Sequence, residues 1–300
     1  MSENKKWEGK TRGGVKGHQF FVFVLNFFGL QIAYFILRFV AFYFFVFADS
    51  TRTSLKYFRE IHGYSRWKAY RASYRNYYIF GQTLLDKVAL LAGMRNKFTV
   101  YHEGHDENLV YLKGLGKGSI LLSAHLGNWE IAGQMLDTLD TKFNVLMYDN
   151  EADKMKEYMG EVMKKKNFKI IAIKDGEMGH LVELHAAFRN NEWVVMHGDR
   201  YLEGAPTIEK EFMGRKAKFP AGPFIMAAKF GVPVTLVFAV KETNTHYHFF
   251  AKKPIEVKRA RTEDEVKEAV RVISDKYVSE LEEMLKRYPT QWFNFYDFWA

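Results

Sequence analysis

Ser119-Ile120-Leu121-Leu122-Ser123-Ala124-His125-Leu126-Gly127-Asn128-Trp129-Glu130 is the stretch on which the reading of this 300-residue chain turns. The apolar run 120–124 has the length and composition of a buried strand, and Ile-Ala-Gly-Gln-Met-Leu at 131–136 reads as a helix. His125 and Glu130 lie five positions apart, a spacing that rotates them past the i, i+4 alignment of one helix face. They meet only across a turn. Gly127 lets the backbone leave the strand, and Asn128 suits the N-cap of a helix opening at Trp129. In α/β folds such a corner lies at the carboxyl edge of the sheet, where ligands bind. A neutral imidazole held by a carboxylate takes protons from hydroxyl groups. The plainer alternative is a surface or capping histidine beside an acid.

Outward from this corner the chain alternates short β-rich runs with amphipathic ones. Strands are expected at 99–102, 119–124, 143–148, 169–173, 193–197, 233–240 and 246–251, and helices at 129–139, 152–166, 177–189, 223–230 and 263–287. The alternation predicts an α/β domain with a largely parallel mixed sheet flanked by helices, and one or two antiparallel strands late in the chain. No internal repeat and no long linker divides the region after Phe98.

Upstream of that domain, FFVFVLNFFGLQIAYFIL at 20–37 carries no charge over 18 residues, and FVAFYFFVFA follows Arg38. The segment is long enough for the ~30 Å hydrocarbon core of a bilayer. It is also rich in aromatics, carries Asn26 and Gln31, and has basic flanks on both sides: Lys10, Arg12 and Lys16 before, Arg52, Lys56 and Arg59 after. The positive-inside rule therefore gives no clean crossing, and an in-plane helix or hairpin in the cytoplasmic leaflet fits as well. A buried core helix is the third reading. The run is too long for a typical signal-peptide core, and no small-x-small site follows it directly. The expected organisation is a basic N-terminus at 1–19, anchoring and interfacial helices at 20–94, and a catalytic α/β domain at 95–300.

A formal net charge of +9 points to anionic partners such as phospholipid head groups, phosphorylated substrates or an acidic carrier protein. Nucleic acid fits poorly, because the basic residues are scattered and no recognition helix, zinc spacing or RNP-like strand is present. With no cysteine, a thiol nucleophile, a disulfide framework and cysteine-ligated metal are excluded. His102 with His105, and the His246-x-His248 pair, lack the spacing of a metal site. Gly114-Leu115-Gly116-Lys117-Gly118-Ser119 precedes a strand, whereas a phosphate loop follows one. No metal and no cofactor is expected.

The string Ser-Ala-His-Leu-Gly-Asn-Trp-Glu at 123–130, an H-x-x-x-x-E, resembles the signature of the lysophospholipid acyltransferase superfamily, and its Gly-Asn-Trp-Glu ending is closest to the bacterial lipid A late acyltransferase branch. Further pieces follow in family order. Val194-Val195-Met196-His197-Gly198-Asp199-Arg200 is similar to a strand ending in a polar group beside the active site, and on its own chemistry Arg200 suits bidentate hold of a phosphate or carboxylate. Phe212-Met213-Gly214, basic Arg215, Lys216 and Lys218, then Gly222-Pro223 opening a helix, and Gly231-Val232-Pro233-Val234 resemble the later motifs. Gly222 lets a ligand approach the backbone. Phe219-Pro220-Ala221-Gly222 departs from the Phe-Pro-Glu-Gly of glycerolipid acyltransferases at Ala221, which weakens a glycerol-phosphate acceptor.

The resemblance, best over 111–239, implies an acyltransferase at the cytoplasmic face of a bacterial inner membrane. It implies His125 as general base and Glu130 as the group that fixes its tautomer, with Asn128, Asp199, Arg200, Arg215, Lys218 and Gly222 binding substrates. The donor would be acyl carrier protein or acyl-CoA, and the acceptor a hydroxyl or amine of a lipid such as a lipid A precursor. An aminolipid, aryl-polyene or polyketide-type lipid is the nearest alternative. Outside the class stand a membrane-attached hydrolase, for which no Gly-x-Ser-x-Gly elbow is present, and a non-enzymatic lipid-binding protein. The aromatic run 292–299 is expected to pack on the catalytic domain near the acyl site, or to sit at the membrane interface.

Overall fold

The computed structural model describes residues 15–128, 131, 139, 141–149, 168–174 and 179–299. The expected helix at 152–166, and nearly all of the one at 129–139, lie outside these residues.

Among the described residues, seven strands form one sheet: β1 (Thr99–Glu103), β2 (Ser119–Ser123), β3 (Phe143–Tyr148), β4 (Phe168–Ile173), β5 (Trp193–His197), β8 (Val234–Lys241) and β9 (His246–Ala251), in the order β1-β9-β8-β2-β5-β3-β4. The block β8-β2-β5-β3-β4 is parallel throughout. β9 runs antiparallel to β8 across a tight connection, and β1 pairs parallel to β9. This is the α/β mixed sheet that the alternation of runs implies. Every residue of β2 and β8 is buried, which explains why these strands read as continuous apolar runs.

The sequence pattern missed the helical turns at His105–Val110 and Tyr111–Gly114, and the segment 207–220. Residues 207–220 form a two-stranded hairpin, β6 (Thr207–Phe212) and β7 (Arg215–Pro220), turning at Met213-Gly214 with both residues at positive φ. Outward-facing Glu209, Glu211, Lys216 and Lys218 hide the apolar set Phe212, Ala217 and Phe219, all buried.

Helix α1 (Val15–Phe47) is kinked at Gly29, and α2 (Ser50–Lys56) passes through a π-helical turn (Tyr57–Ile61) towards α3 (Arg66–Leu91). α4 (Gly179–Arg189), α5 (Gly222–Phe230) and α6 (Glu263–Arg287) flank the sheet region. The bounds of α6 are set by a capping box in which Thr262 accepts from the Glu265 amide and Glu265 accepts from the Thr262 amide.

α1 and α3 are packed closely: a Cβ on Gly81 would lie 2.6 Å from Leu37 Cδ1, and Tyr78 donates to the Tyr34 carbonyl at 3.3 Å. One face of α1, with Val24, Leu25, Ala33, Leu37 and Ala41, is buried; the other exposes Phe20, Phe23, Phe27, Phe35, Phe39 and Phe47.

A buried ionic cluster fixes this helical pair to the sheet. Asp86 of α3 accepts from Tyr34 of α1, Lys241 at the end of β8 and Tyr247 of β9, and Lys241 Nζ also lies 3.0 Å from the Tyr34 hydroxyl. Burial pushes the Asp86 carboxyl up and the Lys241 ammonium down, and their mutual attraction counters both. Removing one partner strands the other charge, so Asp86→Ala is expected to cost on the order of 3–5 kcal/mol in urea unfolding. The double variant Asp86→Leu with Lys241→Met should recover part of that loss. Strictly additive losses would show that the pair is not coupled.

Candidate active site

The parallel register of β2 with β5 builds the site. Ser119 pairs with Trp193 and Ser123 with His197, and the ladder continues as the Gly198 amide donates to the Ser123 carbonyl at 2.9 Å. Carried two residues further, this register sets His125 opposite Asp199, with the same separation of 74 in sequence. The His125 Nδ1–H donates to Asp199 Oδ1 at 2.8 Å, and the His125 amide donates to Oδ2 at 3.0 Å. The pair sits at the carboxyl edge of the parallel block, where ligand sites of such sheets form.

The corner itself is locked. Gly127 has φ 72°, and a Cβ there would lie 1.8 Å from the Ala239 carbonyl oxygen, so only glycine fits. The Asn128 amide donates to that same oxygen at 2.7 Å. Asn128 Oδ1 accepts from the Ile131 amide at 3.4 Å, as an N-cap does, while its Nδ2 donates to the Thr83 carbonyl at 3.3 Å and its side chain reaches the Tyr247 hydroxyl. Asn128, expected among the substrate-binding residues, is thus 5% exposed and committed to holding the turn.

Asp199 stands at the centre of the electrostatics. Burial, at 1% exposure, would raise its carboxyl, but the His125 imidazole, hydrogen-bonded to it, and the Arg200 guanidinium outweigh that and hold it well below the usual carboxylate range. Its Oδ2 also accepts from the Trp292 indole N–H at 3.0 Å. With Nδ1–H turned to a fixed anion, Nε2 of His125 carries the lone pair, which is the tautomer of a general base. The His197 ring lies against His125 with centroids 4.3 Å apart, and burial, then the neighbouring His125, push the His197 pKa down to about 3.

The remaining expected site residues divide. Glu130, assigned to fix the tautomer, and Trp129 lie outside the described residues; the carboxylate found on the imidazole is Asp199. Arg200 is beside the pair, with Nη2 donating to the Phe293 carbonyl at 2.6 Å. Arg215 is exposed at the turn end of the β6–β7 hairpin, opposite Phe212 and paired with Glu60 at 3.0 Å, and Lys218 is exposed opposite Glu209. Gly222 opens α5 with no atom within 4 Å of the position a Cβ would take, so packing does not require glycine there. Sequence reading missed the roles of His197 and Trp292. A signal for the Asp199 contact was present, since two buried runs each place a polar residue two positions past the strand end. Among the described residues, no group of three or more His, Asp or Glu side chains is placed to hold a metal ion.

Residues 18–300 match the model of a family described as bacterial lipid A biosynthesis acyltransferase. The chain belongs to that family. Over 116 residues it is 25% identical to the phosphatidylinositol mannoside acyltransferase of two Mycobacterium tuberculosis strains, covering 39% of this chain and 36% of each relative. The match therefore spans about a third of the length of these curated relatives. The solved structure of PlsC, a 1-acyl-sn-glycerophosphate acyltransferase from Thermotoga maritima, aligns over 84% of this chain and 97% of its own at 17% identity and a TM-score of 0.38, too loose a likeness to carry an argument.

An unfolded His197 takes up a proton near pH 6.5 that the folded protein refuses down to about pH 3. The unfolded state binds more protons in that window, so stability falls as pH drops through it. Denaturant unfolding between pH 6 and 4 should fall more steeply for the wild type than for His197→Phe, by up to about 1.4 kcal/mol per pH unit. Parallel curves would contradict a neutral, buried His197.

Proposed function

We propose that this family member is a membrane-bound acyltransferase that moves a fatty acyl chain from the thioester of acyl carrier protein or acyl-CoA to a hydroxyl, or amine, of a lipid acceptor. The observation that carries it is the His125–Asp199 pair at the sheet edge of a chain matched by the family model over 18–300. His125 Nε2 takes the acceptor proton as the acceptor oxygen attacks the thioester carbonyl. The tetrahedral oxyanion collapses, the C–S bond breaks, and the imidazolium returns the proton to the departing thiolate. The amides of His125, Gly127 and Asn128 are already engaged, so oxyanion stabilisation is assigned to the start of α5. Glu130 is kept as a further acidic residue of the site, Arg200 as a hold for an anionic group of a substrate, and Arg215, Lys218 and Gly222 as outer substrate contacts.

The acceptor we favour is a sugar hydroxyl of an anionic glycolipid, first a lipid A precursor. That choice rests on the family description and on a relative whose name, phosphatidylinositol mannoside acyltransferase, also specifies a glycolipid. His125→Ala is expected to lower transfer from labelled acyl carrier protein into a lipid extract by about 10³-fold, and Asp199→Asn by a comparable factor. A His125→Ala enzyme with most of its activity would sink the reading. Free fatty acid as the wild-type product would favour a hydrolase, and the absence of any product a lipid-binding protein.

Residues 20–94 are proposed as the membrane-binding part, at the cytoplasmic face of the inner membrane, and 95–300 as the catalytic part. α1 is long and apolar enough to cross a bilayer. Its partner α3, however, carries exposed Arg71 and Arg75 and buried Asp86, and would be drawn into the hydrocarbon with it. We infer an in-plane α1 with its phenylalanine face in the leaflet. The chain has no cysteine, so Gly17→Cys and Arg52→Cys provide clean single probes. Both should react with an impermeant maleimide from the same side of sealed membranes; labelling from opposite sides would show a crossing helix.

A further inference from the structure

Asp199 aims the imidazole only if the carboxylate is itself fixed, and the structure shows what fixes it. Oδ1 serves the His125 ring; Oδ2 takes the His125 amide and the Trp292 indole N–H, each at 3.0 Å. The amide alone would leave one soft contact on that side. Trp292 comes from the far end of the chain and is anchored from several directions. It is 2% exposed, with its ring against Phe298 at 5.0 Å, Tyr57 at 5.4 Å and Phe212 at 5.9 Å, and its carbonyl accepts from Asn76 Nδ2 at 3.1 Å.

Residues 291–293 bracket the histidine backbone as well. The Phe293 amide donates to the His125 carbonyl and the Gly127 amide to the Gln291 carbonyl, both at 2.9 Å, making an antiparallel bridge of Trp292 to Leu126. Gln291 is clamped in turn to the Lys241 backbone, accepting its N–H at 2.8 Å and donating to its C=O at 2.7 Å. A tail that only covered apolar surface would need none of these bonds.

We propose that the strap 291–293 belongs to the catalytic apparatus and that Trp292 is a positioning residue, its indole N–H holding Asp199 in the rotamer that points His125 Nε2 at the acceptor. The proposal rests on His125 acting as base. Trp292→Phe keeps the aromatic packing and removes the donor. With one donor gone, the carboxylate charge concentrates on the imidazolium, so the His125 proton is held more tightly.

In the full-length protein, Trp292→Phe is expected to lower kcat about tenfold with KM for the acyl donor within twofold, and to move the acid limb of the kcat/KM profile up by about one pH unit. Trp299→Phe loses an indole that donates to the Phe212 carbonyl instead, and should leave that limb in place. An NMR titration of His125 in histidine-labelled protein reads the same shift without turnover. It therefore separates this proposal from the acyltransfer reading, which fails on an active His125→Ala enzyme. A Trp292→Phe enzyme with unchanged kcat and unchanged His125 titration would overturn the proposal, as would one that loses activity and thermal stability with the pH limb unmoved. Should Trp292→Phe not fold, tryptophan-labelled wild type still decides: the Trp292 indole proton must resonate downfield and move upfield in Asp199→Asn. No difference between the two would also overturn it.

Discussion

A carboxylate shut away from water has to be satisfied on every side, and around Asp199 that requirement organises the molecule. Its oxygens take the His125 ring, the His125 amide and the Trp292 indole, and its charge is balanced by His125 and Arg200. The anion stands past the end of β5, and its donors come from past the end of the parallel strand β2 and from a segment nearly a hundred residues further along the chain. Shifting β2 against β5 by one residue would turn His125 away from Asp199, because alternate positions face opposite sides of the sheet. The register, the glycine corner at Gly127 and the strap are conditions on a single buried anion.

The second dependence runs from the helical pair to the same corner. Asn128 caps the turn after His125, yet its side chain also grips the Thr83 carbonyl in α3 and the Tyr247 hydroxyl, which itself bonds Asp86. Asp86 draws in Tyr34 of α1 and Lys241 of β8. A continuous polar path thus joins the phenylalanine-faced helix to the residue that shapes the histidine turn. Half-satisfied buried networks are costly, so the path favours one relative placement of helices and sheet.

Much of this was legible in the residues. The buried strands read as apolar runs with ends at or within one residue of those seen, and α6 was bounded correctly because its capping box and charged first turn are local signals. The hairpin 207–220 was hidden because its outward charges outnumber its buried residues, which resembles a basic loop when the partner surface is unknown. At the site, His125 and Asp199 were both singled out from the sequence, but not as partners. Glu130 drew attention by closeness in sequence, whereas Asp199 is adjacent only through strand register, a non-local fact. Trp292 stood in an aromatic run whose burial was foreseeable, but one indole N–H among several carries no mark of its target.

The position of the strap also bears on the order in which the protein becomes competent. α1, with its apolar face, is synthesised long before residues 291–293, and pairing β2 with β5 already requires closing a large loop of chain. Until Trp292 arrives, Asp199 has lost one donor and the His125 backbone its bridge. The apolar helix can therefore form while the surroundings of the His125–Asp199 pair are still incomplete.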